Sequence, residues 1–185
     1  MMRELADNIL DIAQNSISAG ASLVEIGISV SHERDTVALV FKDDGRGMSP
    51  ELVKTVAEPF TTTRKTRKVG LGLPLLKMTA TMTGGDFSIE SELGKGTTVS
   101  VSFGLSNIDR PPMGDAAGAF FTLVLLNPDI DFLFTYDYDG KQFVFDTRVI
   151  RETVDPLPLD HPEISAWIKD CLSQEITELH GGLFS

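Results

Sequence analysis

Two alternating runs constrain this chain most: SLVEIGISV (residues 22–30) and TVALVFKDD (residues 36–44), joined only by SHERD. In each, apolar side chains fall on every second residue, the pattern of a strand with one face buried and one face wet. A five-residue polar connector lets two such strands pair antiparallel, but a pair alone is marginal in water and needs a covering layer. The stretch before it can supply one. Between Met2 and Gly20, Leu5, Ile9, Ile12, Ala13 and Ile17 recur at helical steps, and Gly20 is a natural helix stop. Further along, a short helix is expected over Pro50 to Ala57 and another over Gly72 to Met82, ended by Gly84-Gly85. DFSIES and TTVSVSF form a second strand pair around ELGKG. Helix, two strands, helix, loop, helix, two strands predicts an α+β fold: a two-layer sandwich with a mixed sheet and helices on one face.

SNIDRPPMGD, with Pro111, Pro112 and Gly114, interrupts this order and divides the chain into residues 1–106 and 107–185. AFFTLVLLN, IDFLFTYDYDG and KQFVFDTRVI follow, and Asp139-Gly140 is a hairpin signal between the last two. Past Pro156 and Pro158, Asp160 with Glu163 fits an N-cap and its reciprocal partner. Ile164, Trp167, Ile168, Cys171, Leu172, Ile176 and Leu179 then trace one apolar helix face. The expected C-terminal unit is a small β-β-β-α extension. It could extend the sheet, dock a partner, form a homodimer or simply add a core layer.

Charge separates the two parts. Residues 1–106 carry 11 Lys+Arg against 13 Asp+Glu, and residues 107–185 carry 5 against 14, within a total of −11. A general nucleic-acid surface is not expected of so acidic a chain, because such surfaces work through many cations on phosphates. One cysteine, Cys171, excludes an internal disulfide framework, and His32, His161 and His180 lack zinc-site spacing. No apolar run reaches the ~20 residues of a membrane span, and acids interrupt the N-terminus MMRELADNIL, unlike a signal peptide. A cytoplasmic setting is expected. Against this acidity, Arg64, Lys65, Arg67 and Lys68 crowd into one loop, which calls for a local anion. Neither G-x-x-x-x-G-K-[ST] nor G-x-G-x-x-G is present to receive it.

Three features remain. Asp11 and Asn15 stand at i,i+4 on the first helix, sharing one side of it; a carboxylate and an amide there suit proton transfer and magnesium coordination, or are simply a solvated face. Asp43-Asp44-Gly45-Arg46-Gly47-Met48 closes the second strand, where Asp43 could accept from an exocyclic amine, or the six residues could be a plain turn. Gly70-Leu71-Gly72-Leu73 opens a helix, whose free N–H groups favour phosphate, or is only a loop-to-helix junction.

Their order is more specific than any one of them: Asp/Asn on a first helix, D-x-G-x-G after the second strand, E-P-F, G-L-G-L opening a helix, and G-x-G-T before a last strand. Over residues 1–106 the sequence resembles the GHKL, or Bergerat-fold, superfamily of ATP-binding domains shared by DNA gyrase, the heat-shock chaperone, histidine kinases and mismatch-repair ATPases. The resemblance implies ATP and Mg2+ as ligands. It places Asn15 at magnesium and Asp11 at the acid/base position, where the superfamily often has the longer Glu. Asp43 would hold the adenine amino group, with Gly45, Gly47 and Met48 forming the pocket wall. Thr97, with Thr98 as the next choice, would support the adenine contact. Glu58-Pro59-Phe60 resembles the opening of a histidine-kinase ATP lid. Phe60, Thr61 and the four lid cations would line the nucleotide, and Gly70, Leu71, Gly72 and Leu73 would cap its phosphates. NSISAGAS resembles mismatch-repair ATPases in particular.

The lid is short and basic for a histidine kinase, and the sequence opens directly on the first ATPase helix. A kinase acting in trans on a protein partner, as anti-sigma serine kinases do, is therefore expected. The alternative is a slow ATPase working as a nucleotide-gated interaction switch.

Overall fold

The computed structural model describes residues 4–58 and 72–181. In chain order the elements are α1 (Leu5–Ser18), β1 (Leu23–Ser31), β2 (Thr36–Asp43), α2 (Pro50–Val56), α3 (Gly72–Met82), β3 (Phe87–Glu92) and β4 (Gly96–Gly104). They continue with α4 (Ala116–Leu126), β5 (Asp131–Tyr138), β6 (Lys141–Asp146), α5 (Thr147–Val154) and α6 (Pro162–Leu179). The strands form one six-stranded sheet in the order β3-β4-β2-β1-β5-β6. It is mixed: β1 and β5 run parallel, and every other neighbouring pair is antiparallel. The α+β class expected from the sequence is the one observed.

Alternation decides which face is covered. On β1 and β2, Val24, Ile26, Ile28, Val30, Val37, Leu39 and Phe41 are buried. Their neighbours face outward, where Lys42 pairs with Glu25 at 2.8 Å directly across the two strands. Leu5, Ile9, Ile12 and Ala13 of α1 and Leu76 and Ala80 of α3 close over the apolar face. Each fully buried large side chain contributes about 1.5–3 kcal/mol, so it is this shared burial, not helix propensity, that holds the layer in place.

Residues 107–181 depart from expectation. AFFTLVLLN is not a strand but most of α4, so the expected β-β-β-α unit is in fact α-β-β-α-α. The Asp115 side chain accepts from the Gly118 amide at 2.7 Å and starts that helix. An apolar run lacking clear period fits a buried helix as well as a buried strand, and the cap decides. Likewise KQFVFDTRVI is a strand only to Asp146, whose carboxylate accepts from the Arg148 amide at 2.9 Å and opens α5. The last helix is capped at His161, with Pro162 first inside it, and not by Asp160. Its expected apolar face does pack on the core, with Ile168 and Leu172 buried and Ile164, Cys171, Ile176 and Leu179 half-buried, while Trp167 stays 49% exposed.

Strands β5 and β6 extend the sheet beside β1. The connector also closes back on the first helix: the Leu5 and Ala6 amides donate to Pro112 and Met113 carbonyls, both at 2.9 Å. Two of α1's unsatisfied N-terminal donors are thereby supplied from residues 107–115.

Candidate functional site

The candidate site lies where β2 ends and β4 begins, beside the last turn of α1. Asp43 is the final residue of β2 and falls on its inward side, yet it is a carboxylate with only 9% of its surface exposed. A buried charge needs partners. Asp43 Oδ2 accepts from the Ser16 hydroxyl at 2.7 Å, and Oδ1 accepts from the Gly45 amide at 2.9 Å. Ser16 sits one residue past Asn15 on α1, so this bond ties the first helix to the strand end.

The loop after Asp43 is held from both sides. Asp44 accepts from the Ser22 amide at 2.7 Å, the Leu23 amide at 2.9 Å and the Ser22 hydroxyl. Burial pushes the Asp44 carboxyl up, but those donors outweigh it and hold it below the usual carboxylate range. The Arg46 amide donates to Ala19 O at 3.0 Å, and Gly94 N donates to Arg46 O at 2.8 Å. Two glycines make this packing feasible. Gly47 has φ +65°, and a Cβ on it would lie 1.9 Å from Glu92 O; Gly96 has φ +110°, and its Cβ would meet Asp43 O at 1.8 Å.

The strand register separates the two candidate threonines. Thr97 pairs directly with Asp43, so the two share the inward side; Thr98 pairs with Lys42 on the outward side. Ser91 organises the rest: its hydroxyl donates to Gly96 O at 2.8 Å, accepts from the Met48 amide at 2.8 Å and lies 2.9 Å from Thr97 Oγ1.

The structure thus brings together Asp43, Gly45, Gly47, Met48 and Thr97. Asp11 and Asn15 are exposed on α1, beside buried Ser16. Gly72 and Leu73 open α3 and are half-buried. Phe60, Thr61, Arg64, Lys65, Arg67, Lys68, Gly70 and Leu71 lie outside the described residues. Among the described residues no cluster of three or more His, Cys, Asp or Glu could hold a metal. The exposed Asn15 amide would suit a magnesium ion that takes most of its shell from phosphate and water. Among the described residues, no helix is long and apolar enough to cross a membrane.

Sequence reasoning missed Ser16, Ser91 and Asp44. Serines carry no spacing signal, and their partners are distant in sequence. The doubled acid Asp43-Asp44 was the one visible hint.

A mixed sheet covered on one face by helices, with a buried carboxylate and close-packed glycines at a strand end, defines a two-layer α+β sandwich with a polar site at one end of the sheet. The profile of histidine kinase-, DNA gyrase B- and HSP90-like ATPases matches residues 1–107, and the chain belongs to that family, the GHKL superfamily of ATP-binding domains. Among curated relatives, histidine protein kinase DivJ of Caulobacter vibrioides is 31% identical over 103 residues, covering 54% of this chain and 17% of that protein. Sporulation kinase C of Bacillus subtilis is 32% identical over 98 residues, covering 53% of this chain and 23% of that protein. The chain therefore matches a minor part of these relatives' length. Among solved structures, the N-terminal domain of a DNA repair protein aligns with TM-score 0.56 at 19% identity, over 77% of this chain and 52% of that one, a likeness of fold.

Proposed function

We propose that the chain binds Mg-ATP at the Asp43 end of the sheet and transfers the γ-phosphoryl group in trans to a protein partner. The observation that carries the ATP half is the buried Asp43 carboxylate, held by Ser16 and Gly45 in a chain of the GHKL family. The kinase half is supported by similarity to histidine protein kinases over little more than half of the chain.

Phosphoryl transfer rests mainly on positioning and charge neutralisation. In this reading Asp43 accepts from the adenine amine, and Thr97 supports that contact from the neighbouring strand. Asp11 orients the acceptor hydroxyl or imidazole, and Arg64, Lys65, Arg67 and Lys68 offset the charge of the β- and γ-phosphates. Asn15 would hold magnesium, which when bound neutralises phosphate charge. Gly72 and Leu73 open α3, where phosphate is favoured, and the reading gives Gly70 and Leu71 the same phosphate-capping duty.

Calorimetry with Mg-ATP tests the first half: Asp43→Asn is expected to weaken binding at least tenfold, and undiminished binding would remove Asp43 from the base site. Incubation with γ-labelled ATP and candidate partners tests the second. Label is expected on the partner; label recovered only as free phosphate rules out the kinase. That outcome, together with partner affinity differing between the ATP and ADP states, would favour the nucleotide-gated switch, for which Asp11 at the acid/base position is the motivating residue.

A further inference from the structure

We infer that Ser16 is a specificity-determining positioning residue, which fixes the Asp43 carboxylate so that the site takes a purine with an amine at its six-position. The inference rests on the ATP reading and extends it to a residue given no role by the sequence alone.

The geometry supplies the argument. Ser16 is 4% exposed and Asp43 9%, so both are nearly cut off from water. A serine hydroxyl has one proton and two lone pairs. Here the proton goes to Asp43 Oδ2 at 2.7 Å, so whatever else Ser16 offers is an acceptor. Asp43 Oδ1 is meanwhile occupied by the Gly45 amide at 2.9 Å. The carboxylate is thus held at both oxygens, from α1 on one side and from the loop on the other, and cannot swing to meet a ligand. Its remaining lone pairs and those of Ser16 form a buried edge made only of acceptors. A purine amine donates into such an edge. A six-oxo purine would set acceptor against acceptor there, and buried polar groups left unpaired are costly.

The bond also spans 27 residues, from the last turn of α1 to the end of β2. Asn15 directly precedes Ser16, so the contact that orients the base-reading carboxylate lies next to the residue proposed for the phosphate side.

The test measures binding of the full chain to ATP and to purine riboside 5′-triphosphate, which is ATP with hydrogen in place of the six-amine. Wild type is expected to prefer ATP by roughly tenfold to a hundredfold, the scale of a hydrogen bond to a charged group. In Ser16→Ala, ATP binding should weaken about tenfold while binding of the analogue changes less than about twofold, so the preference largely collapses. Ser16→Cys keeps most of the volume but is a weak donor; it should fall between the two and serves in place of the alanine variant if thermal melts show that one unfolded. Equal weakening for both ligands would mean that the hydroxyl only supports the fold, and an unchanged preference would mean that it does not orient Asp43; either overturns the inference alone. Wild type that binds neither nucleotide removes the ATP reading, and this inference with it.

Discussion

Around Asp43 the strand end is pinned by named hydrogen bonds: Ser16 and Gly45 donate to the Asp43 carboxylate, Ser22 and Leu23 to that of Asp44, and Ser91 accepts from the Met48 amide. Around Phe120, on the same face of the same sheet, there is almost nothing but rings. Phe120 of α4 stacks on Phe134 at 4.4 Å and meets Phe132 and Phe145 edge-on at 6.1 and 5.9 Å, and all four are buried. One region is built from polar groups whose geometry is restricted to particular partners. The other is built from apolar volume, which many sequences could fill. The difference separates two duties that one sheet performs: residues near Asp43 set where atoms can go, whereas residues 107–181 supply burial and brace α1 through Pro112, Met113 and α4.

The largest expected effect follows from that division. Phe120→Ala should destabilise the fold by about 3–5 kcal/mol, the usual cost of emptying a buried aromatic site, as measured by urea denaturation. ATP affinity of the folded fraction should change less than about threefold. A large loss of affinity without a loss of stability would break the comparison, because it would place α4 in the site itself.

Next come two glycines with left-handed backbone. Gly96→Ala puts a methyl 1.8 Å from Asp43 O, whereas Gly20→Ala, at φ +77°, meets nothing within 4 Å. Both carry the conformational cost of a side chain at positive φ, about 1–2 kcal/mol. Only Gly96→Ala should also displace Asp43, adding strain of about 1–3 kcal/mol and weakening ATP binding. Melts and calorimetry on the pair sharpen the comparison: equal effects on binding would show that close packing at Gly96 is irrelevant to the site.

How much of this was legible in the sequence follows the same line. The core face of α1 was readable because Leu5, Ile9, Ile12 and Ala13 keep helical spacing, and β1 and β2 because they alternate. Asp43, Gly45 and Gly47 were readable because a turn that tight restricts residue type. Helix α4 was not: a continuous apolar run has no period, and what settles it is the Asp115 cap, with Gly118 leaving room for that carboxylate. Trp167 was assigned to a buried face because spacing reports which residues share a side of a helix, not how far the cover reaches. His32 carries no partner signal in the sequence, yet its Nδ1 lies 2.8 Å from Asp139, a partner 107 positions away. Ser16 and Ser91 were hidden for the same reason: their meaning lies in partners that only the fold brings near.

The smallest effect concerns pH and again sets the two regions apart. His180, at the end of α6, lies with Nε2 3.0 Å from Tyr136 Oη and its ring 4.4 Å from that of Tyr138. Burial pushes its pKa below the ordinary 6.5. The unfolded chain then takes up this proton more readily than the folded one. The stability tied to neutral His180 is therefore present above pH 6.5 and is lost as pH falls from there through the folded value. Asp44 is also lowered, from 3.8, so its contribution is present above that pH and disappears only in stronger acid. Urea melts across pH should show two separate declines. His180→Gln should flatten the one just below pH 6.5 and leave the acid one intact, whereas Asp44→Asn should leave the first and only reduce the second, which the lowered carboxyls of Asp139 and Asp146 share. If His180→Gln left the near-neutral decline unchanged, the C-terminal helix would have no part in it, and burial in the extension would be shown to act on stability without a pH signature near neutrality.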